Sequence, residues 1–166
     1  MTGLILIKNG TILTVVNEDV QTFNADILIS SNRIAKIGNI TAKPEVTIDA
    51  TDKLVMPGLI QTHVHLCQTL FQGYANDFNL GLLDWLRKKI LPLEASHYES
   101  SLYTSALLGA IKLIRSGTTC VLSMETVNHT DAVFYAIEHI GLRATLGKCM
   151  MDKGDNVPEP LLEKTQ

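Results

Sequence analysis

The sequence predicts an α/β fold in two modules, a β-rich one over residues 1–53 and an α/β one over residues 54–166. Two observations lead to this prediction. The first module contains short β-branched segments separated by turn residues, a pattern that is typical of paired strands. The second module alternates strand and helix patterns, which is typical of parallel strands joined by helical crossovers.

The first module is predicted to be a small β-sandwich. Its strands are rich in β-branched residues and partly alternate apolar with polar side chains. The predicted strands are Leu4–Lys8, Thr11–Val15, Ala25–Ser30, Arg33–Ile37 and Val46–Ile48. Turn signals such as Asn9-Gly10 and Gly38-Asn39 lie between them. Taken alone, the segment is also compatible with an all-β module that is complete in itself.

The second module opens on the apolar run Leu54–Ile60, which predicts a strand buried on both faces. Ser96 and Glu99 have the spacing of a capping box, which indicates that a helix begins there. The other predicted elements are helices over Leu80–Leu91, from Ser96 to Gly117 and over Thr130–Ile140, strands over Thr118–Met124 and Leu142–Met151, and the start of a helix over Leu161–Gln166.

The composition excludes several classes of protein. A length of 166 residues with 46% hydrophobic residues suits a globular chain, and a net charge of −3 argues against a nucleic-acid partner. No run approaches the ~18 apolar residues of a membrane span, so no membrane partner is expected. Cys67, Cys120 and Cys149 form no CxxC pair, which favours free thiols in a reducing, cytoplasmic setting.

The sharpest chemical signal is the pair His63 and His65, which follows the apolar run. In a strand, residues i and i+2 point to the same face, so both imidazoles can reach one cation. Neutral histidine nitrogens are ligands for zinc and similar divalent metals. The C-terminal end of a parallel strand is where α/β barrels place their chemistry, so the pair is predicted to bind a metal.

The segment from Val55 to His65 strongly resembles the first barrel strand of the amidohydrolase superfamily. Other segments extend the resemblance over nearly the whole chain: Arg33–Gly38, Ile48–Ala50, Thr69–Gly73, Leu83–Leu86, Leu91–Glu94, Ser116–Thr119 and Gly141–Ala144. The likeness is to the branch that deaminates 5′-deoxyadenosine, methylthioadenosine and S-adenosylhomocysteine, whose members are often labelled s-triazine chlorohydrolases.

This resemblance implies a fold and indicates which part of that fold the chain forms. The chain would comprise the N-terminal part of a β-sandwich, followed by the first three βα units of a TIM-type (β/α)8 barrel. A complete barrel needs roughly 200 residues or more besides the sandwich, so only the N-terminal portion is expected here. The open sheet is expected to require self-association as a homo-oligomer or a complementing C-terminal segment.

The resemblance also implies roles for individual residues. His63 and His65 match two ligands of one divalent metal, zinc first, with iron, nickel or manganese as alternatives. Glu94 matches a carboxylate that hydrogen-bonds ribose hydroxyls, and Trp85 matches an aromatic residue beside the pocket. Lys148 stands where relatives place a substrate-contacting arginine.

Two further residues are substrate-site candidates by position alone. Glu125 and His129 follow the second strand of the α/β module, at the edge where the chemistry is expected. Three residues depart from the family pattern, with Gln72 in place of a common Arg, Asn76 of a common Asp and Ser123 of a common Asp. These departures leave the choice of substrate open.

The predicted function is hydrolytic deamination of an adenosine-type small molecule by water that the metal activates. The resemblance implies that the remaining ligands and the acid/base groups belong to later strands, so the chain alone is expected to show no measurable deaminase activity. Three alternatives remain: a non-catalytic binding or assembly module, an s-triazine chlorohydrolase, and a small self-contained metal-binding domain.

Overall fold

The computed structural model describes residues 3–74 and 79–163, and the chain divides into two compact units, Met1–Pro57 and Gly58–Gln166. The division lies a few residues beyond the predicted one at 53 because Leu54–Val55 forms a short strand within the first unit. Both units contain sheets and the second adds helices, so the α/β prediction is confirmed at the level of class.

The first unit contains one five-stranded sheet. Its strands are β1 (Leu4–Val16), β2 (Asp19–Ser30), β3 (Arg33–Gly38), β4 (Val46–Asp49) and β5 (Leu54–Val55). The order is β3-β2-β1-β4, with β5 also paired to β1. Neighbours β1, β2 and β3 are antiparallel, whereas β4 and β5 run parallel to β1. Over residues 3–57 the strands form this single sheet, so the predicted sandwich is not confirmed.

Strand β1 joins two segments that were predicted to be separate. The predicted turn at Asn9-Gly10 is a bulge, where the register with β2 shifts between Ile7 and Gly10. Asn9 has a φ of 63°, and its backbone N–H donates to Asp26 Oδ1 at 2.9 Å. The Asp26 carboxylate thus replaces the backbone partner that the Asn9 N–H loses at the bulge. The strand therefore continues through Asn9 and Gly10.

The second unit contains a three-stranded parallel sheet in the order β6-β7-β8. Its strands are β6 (Leu59–Val64), β7 (Thr118–Glu125) and β8 (Arg143–Lys148). The predicted strand Leu54–Ile60 is wrong, because the chain leaves one sheet after Val55 and enters the other at Leu59. Pro57 lacks the backbone N–H that a strand ladder needs. At Gly58 the chain passes so close to Thr119 that a Cβ would lie 2.2 Å from the Thr119 side chain.

The helices of the second unit lie between its strands in sequence, except for a last 3-10 turn that follows β8. They are a 3-10 helix (Leu66–Phe71), α1 (Leu82–Trp85), a π-helical segment (Leu86–Ile90), α2 (Leu91–Ala95), α3 (Glu99–Arg115), α4 (Thr130–Ile140) and a 3-10 turn (Glu159–Leu161). Pro92 does not end the helical run as predicted, since it occupies the first turn of α2, where a missing N–H costs no bond. Of the helix predicted over Leu161–Gln166, the part from 164 to 166 lies outside the described residues.

The start of α3 is capped differently from the prediction. The Tyr98 N–H donates to Ser101 Oγ at 3.0 Å, so Ser101 fills the role that was assigned to Glu99. The Ser96 hydroxyl donates instead to the Leu93 carbonyl at 2.6 Å and completes the end of α2.

One face of the parallel sheet is covered and the other is open. From Val121 to Glu125, alternate residues of β7 are buried under the helices, and those between them are exposed. The buried cluster comprises Leu66, Cys67, Leu102, Ala106, Ala110, Val121, Ala132, Val133, Ala136, Ile137 and Leu142. On the open face, Leu122 and Met124 are about half exposed. Across residues 3–74 and 79–163, no helix has the length and apolar character that a membrane crossing needs.

Candidate functional site

The candidate site lies where the three parallel strands end. Val64, the last residue of β6, is the register partner of Ser123, and Glu125 at the end of β7 is the partner of Lys148. Because parallel strands bring their carboxyl ends to one edge, the sheet gathers the predicted residues of three distant segments. His65 follows directly on β6 at this edge.

The two histidines are neighbours in space. The ring centroids of His63 and His65 are 4.9 Å apart, and the rings meet edge to face. His65 Nδ1 lies 2.8 Å from the carbonyl oxygen of Met124 on β7, and because a carbonyl only accepts, the Nδ1–H is the donor. In a neutral ring this bond leaves the lone pair on Nε2, which is the form of histidine that binds a metal.

The donor set suits a divalent cation but is incomplete. Within residues 3–74 and 79–163, no group of three or more His, Cys, Asp or Glu side chains is placed to hold a metal ion. Cys67 is a poor additional ligand, because burial raises the pKa of its thiol and the nearby Glu125 and Glu94 carboxylates raise it further. The pair therefore fits as two of the ligands of a metal.

Glu125 is buried beneath this edge, with 2% of its surface exposed. Its Oε2 accepts the backbone N–H of Cys67 at 2.8 Å, and its Oε1 contacts the Ser123 hydroxyl. Burial is the largest influence on the group and raises the pKa of its carboxyl, while these hydrogen bonds lower it. The Glu125 carboxyl is thus bonded to the backbone of Cys67 and to Ser123. Its role in substrate binding stays a prediction.

Glu94, on α2, is brought close to the residues that follow the histidine pair. It is 7% exposed, and its Oε1 accepts a hydrogen bond from Gln68 Nε2 at 2.8 Å. The Cys67 sulfur lies 4.0 Å from the same oxygen. Glu94 therefore lies among the side chains of the Leu66–Phe71 helix rather than on an open helix end.

Trp85 lines a cavity of about 300 Å³ together with His65. Val64, Phe71 and Leu113 contribute apolar parts of its wall. The structure thus brings one predicted metal ligand and the predicted pocket aromatic to the same space.

Lys148 and His129 lie farther along the same edge. Lys148 Nζ contacts the Glu163 carboxylate and donates to the Cys149 carbonyl at 3.3 Å. His129 is exposed and precedes α4 with a φ of 58°. Their predicted substrate roles stay predictions.

His97 and Ser105 hold the chain after the histidine pair and were not predicted to do so. His97 is half buried, and its Nε2–H donates to the Cys67 carbonyl at 2.8 Å. Burial lowers the pKa of its imidazole. The buried Ser105 hydroxyl lies 2.9 Å from both the Leu66 and Cys67 carbonyls. Ser105 lies on the buried face of α3, and its partner Cys67 lies 38 residues away, so no local sequence signal marks this contact.

The departures from the family pattern have different surroundings. Gln72 accepts a hydrogen bond from Lys112 Nζ at 2.6 Å. Ser123 is buried, accepts from the Leu66 N–H at 3.2 Å and contacts the Val64 carbonyl at 3.0 Å. Asn76 lies outside the described residues.

Comparisons with known proteins give a family match and two similar relatives. A model described as the amidohydrolase family matches residues 54–166. A 5'-deoxyadenosine deaminase of Methanobrevibacter smithii is 40% identical over 154 residues, covering 92% of this chain and 34% of that protein. A 5-methylthioadenosine/S-adenosylhomocysteine deaminase of Thermococcus sibiricus is 38% identical over 152 residues, covering 91% and 34%.

A solved structure shares the fold. The structure of an adenosine deaminase from Xanthomonas campestris with bound zinc has a TM-score of 0.79 and 25% identity. The match covers 92% of this chain and 35% of that one. The chain therefore spans about a third of the length of the relatives that it matches.

Proposed function

The chain belongs to the amidohydrolase family, and from that premise we propose that it forms the N-terminal, metal-binding part of a hydrolase that deaminates an adenosine-type compound. The fold proposed for the complete protein is a TIM-type barrel to which β6, β7 and β8 contribute the first three strands. The observation that supports this proposal most strongly is the histidine pair at the carboxyl edge of the sheet, with His65 held by Met124 in a ligand-competent form.

His63 and His65 would hold one divalent metal ion, and a relative with bound zinc favours zinc. The chemistry supplied there when a metal is bound is activation of water near neutral pH. Hydrolytic deamination adds the water oxygen to the ring carbon that carries the amino group, and ammonia leaves, so that a carbonyl replaces the amine.

The other residues of the site act on the substrate. The Glu94 carboxylate keeps acceptor capacity beyond its bond to Gln68 and can receive the hydroxyl groups of a ribose. Trp85 contributes an aromatic wall to the cavity that His65 also lines, and such a wall suits a flat heterocycle. The two residues give the site one polar and one aromatic contact of the kind that a nucleoside needs.

The chain alone is proposed to lack measurable deaminase activity, because the described residues supply two ligands of the metal. We propose that a complementing segment or a second copy supplies the rest. The exposed apolar side chains of Leu122, Met124 and Ile60 on the parallel sheet would be covered in such an assembly. The three cysteines are free thiols, which supports the expected cytoplasmic setting.

A chimera tests the proposed function. This chain replaces the matching third of the Methanobrevibacter smithii 5'-deoxyadenosine deaminase, and ammonia release from 5'-deoxyadenosine is measured. We expect turnover within about tenfold of the parent, because the chain is 40% identical to the segment it replaces and supplies His63 and His65 at the carboxyl edge of the sheet. The same chimera with His63→Ala is the matched control and is expected to be inactive.

A folded, zinc-loaded chimera without turnover would contradict the proposal. Folding is followed by circular dichroism and zinc content by elemental analysis, so that misassembly is separated from loss of chemistry. If the fused chimera does not fold, co-expression of the chain with the remaining two thirds of the parent provides the same comparison. Release of chloride from a chlorinated s-triazine, without deamination, would assign the chain to the chlorohydrolase alternative.

A further inference from the structure

The end of β7 reaches across to the chain that follows β6 through side chains instead of a backbone ladder. The last ladder pair between the strands is Val64 with Ser123. Beyond it, the Leu66 N–H donates to Ser123 Oγ at 3.2 Å, and the Cys67 N–H donates to Glu125 Oε2 at 2.8 Å. Two successive backbone donors are thus taken by two side chains of one strand end.

The two side chains also contact each other. Ser123 Oγ contacts Glu125 Oε1 and lies 3.0 Å from the Val64 carbonyl. Both residues are buried, with 1% and 2% of their surfaces exposed. Turning either buried side chain away would leave a polar atom unpaired in the interior, so each side chain is held in one rotamer.

Met124 lies between these two residues and presents its backbone carbonyl to His65 Nδ1 at 2.8 Å. The tripeptide Ser123–Glu125 therefore fixes both partners of that bond. Its side chains hold the backbone on the C-terminal side of His65, and its central carbonyl holds the imidazole ring. A shift of either strand end would change the Nδ1–O distance directly.

We infer that Ser123 and Glu125 form a latch that positions His65, keeping its proton on Nδ1 and its Nε2 available as a ligand. Both are positioning residues, since they act through the Val64–Cys67 backbone. The inference rests on the proposed function only in taking His65 as a metal ligand. Outer partners of a metal-binding histidine fix its tautomer and orientation, and their loss lowers metal affinity by roughly 10- to 100-fold.

Four variants of the chain test the latch. Glu125→Ala and Ser123→Ala remove its oxygen atoms. Glu125→Gln is the conservative rescue, because its amide oxygen can accept from Cys67 while its amide nitrogen donates to Ser123. Thr126→Val is the matched control, since Thr126 is adjacent and buried, and its hydroxyl has no hydrogen-bond partner in the described part of the chain.

Two readouts are made on each variant. Long-range proton–nitrogen NMR reports which ring nitrogen of His65 carries the proton, without any metal. Competition with a chelator gives the affinity for Zn²⁺. We expect wild type, Glu125→Gln and Thr126→Val to keep the Nδ1–H form. Glu125→Ala and Ser123→Ala are expected to lose the single tautomer and to bind Zn²⁺ roughly tenfold or more weakly.

The latch is overturned if folded Glu125→Ala keeps both the tautomer and the zinc affinity of wild type, because a purely structural role would change stability alone. If Glu125→Ala does not fold, Ser123→Ala is measured instead, and the latch is overturned if that variant keeps both the His65 tautomer and the zinc affinity of wild type. Failure of the proposed function looks different. Wild type would then show the Nδ1–H form and its loss in Glu125→Ala, yet would bind no Zn²⁺.

Discussion

Replacing His65 by alanine is expected to weaken binding of Zn²⁺ to the chain by about 100-fold or more. Removal of a ligand should exceed the roughly 10- to 100-fold that loss of an outer partner costs. His63→Ala should have a similar effect, because the two rings lie 4.9 Å apart at the same edge and the described residues place no third ligand beside them. Affinity is measured by chelator competition on variants whose circular dichroism matches wild type.

His139→Ala is the matched control for these variants. His139 lies in the last turn of α4, is exposed, and has its Nδ1 2.5 Å from the Tyr103 hydroxyl. Its removal deletes an imidazole without touching the strand ends, so zinc affinity should be unchanged. Equal losses for His139→Ala and His65→Ala would place the bound zinc elsewhere and refute the assignment of the pair.

Truncation of Leu102 to alanine is expected to destabilise the chain by about 2–5 kcal/mol. Leu102 is fully buried on α3, in the cluster that includes Leu66 and Val133. The lost methyl groups leave a cavity under the helix that follows the histidine pair, and close-packed neighbours fill it only in part. Urea denaturation followed by circular dichroism gives the change in the free energy of unfolding.

Leu108→Ala on the same helix is the comparison for this prediction. Leu108 is 37% exposed, so the same truncation removes fewer contacts and should cost less than about 1 kcal/mol. Equal losses of stability for the two variants would contradict the assignment of Leu102 to the core of the second unit.

The elements with complete local signals were predicted well from the sequence. Helix α4 has the predicted bounds, Thr130 to Ile140, because its apolar period is regular and Gly141 ends it with a φ of 75°. The predicted strand Thr118–Met124 differs from β7 by one residue. The amidohydrolase resemblance is confirmed by the family match over residues 54–166 and by relatives that cover 91% and 92% of the chain.

Local patterns failed where tertiary partners decide the outcome. Asn9-Gly10 reads as a turn, yet the Asp26 carboxylate satisfies the Asn9 N–H and lets β1 continue. The run Leu54–Ile60 reads as one strand, yet it is divided between two sheets at Pro57 and Gly58. Asp26 lies 17 residues from Asn9, and Thr119, which leaves no room for a side chain at Gly58, lies 61 residues from it, so neither contributes to the local pattern.

The candidate site shows the same division between local and distant information. The spacing of His63 and His65 is a local signal, and the two rings are neighbours as that spacing requires. The buried position of Glu125 depends on a hydrogen bond to a residue 58 positions away in the chain. Sequence reasoning could therefore place Glu125 at this edge of the sheet. It could not show that the Glu125 carboxyl accepts a hydrogen bond from the backbone of Cys67, shortly after β6.

X-ray absorption spectroscopy of the zinc-loaded chain tests the central claim most directly. The histidine pair predicts a first shell that contains two imidazole nitrogens at ~2.0–2.1 Å, completed by oxygen, with no sulfur. That signature should disappear in the His63→Ala/His65→Ala double variant. A shell with sulfur at ~2.3 Å would instead show zinc held by cysteine, and an unchanged spectrum in the double variant would contradict the assignment of His63 and His65 as the metal ligands.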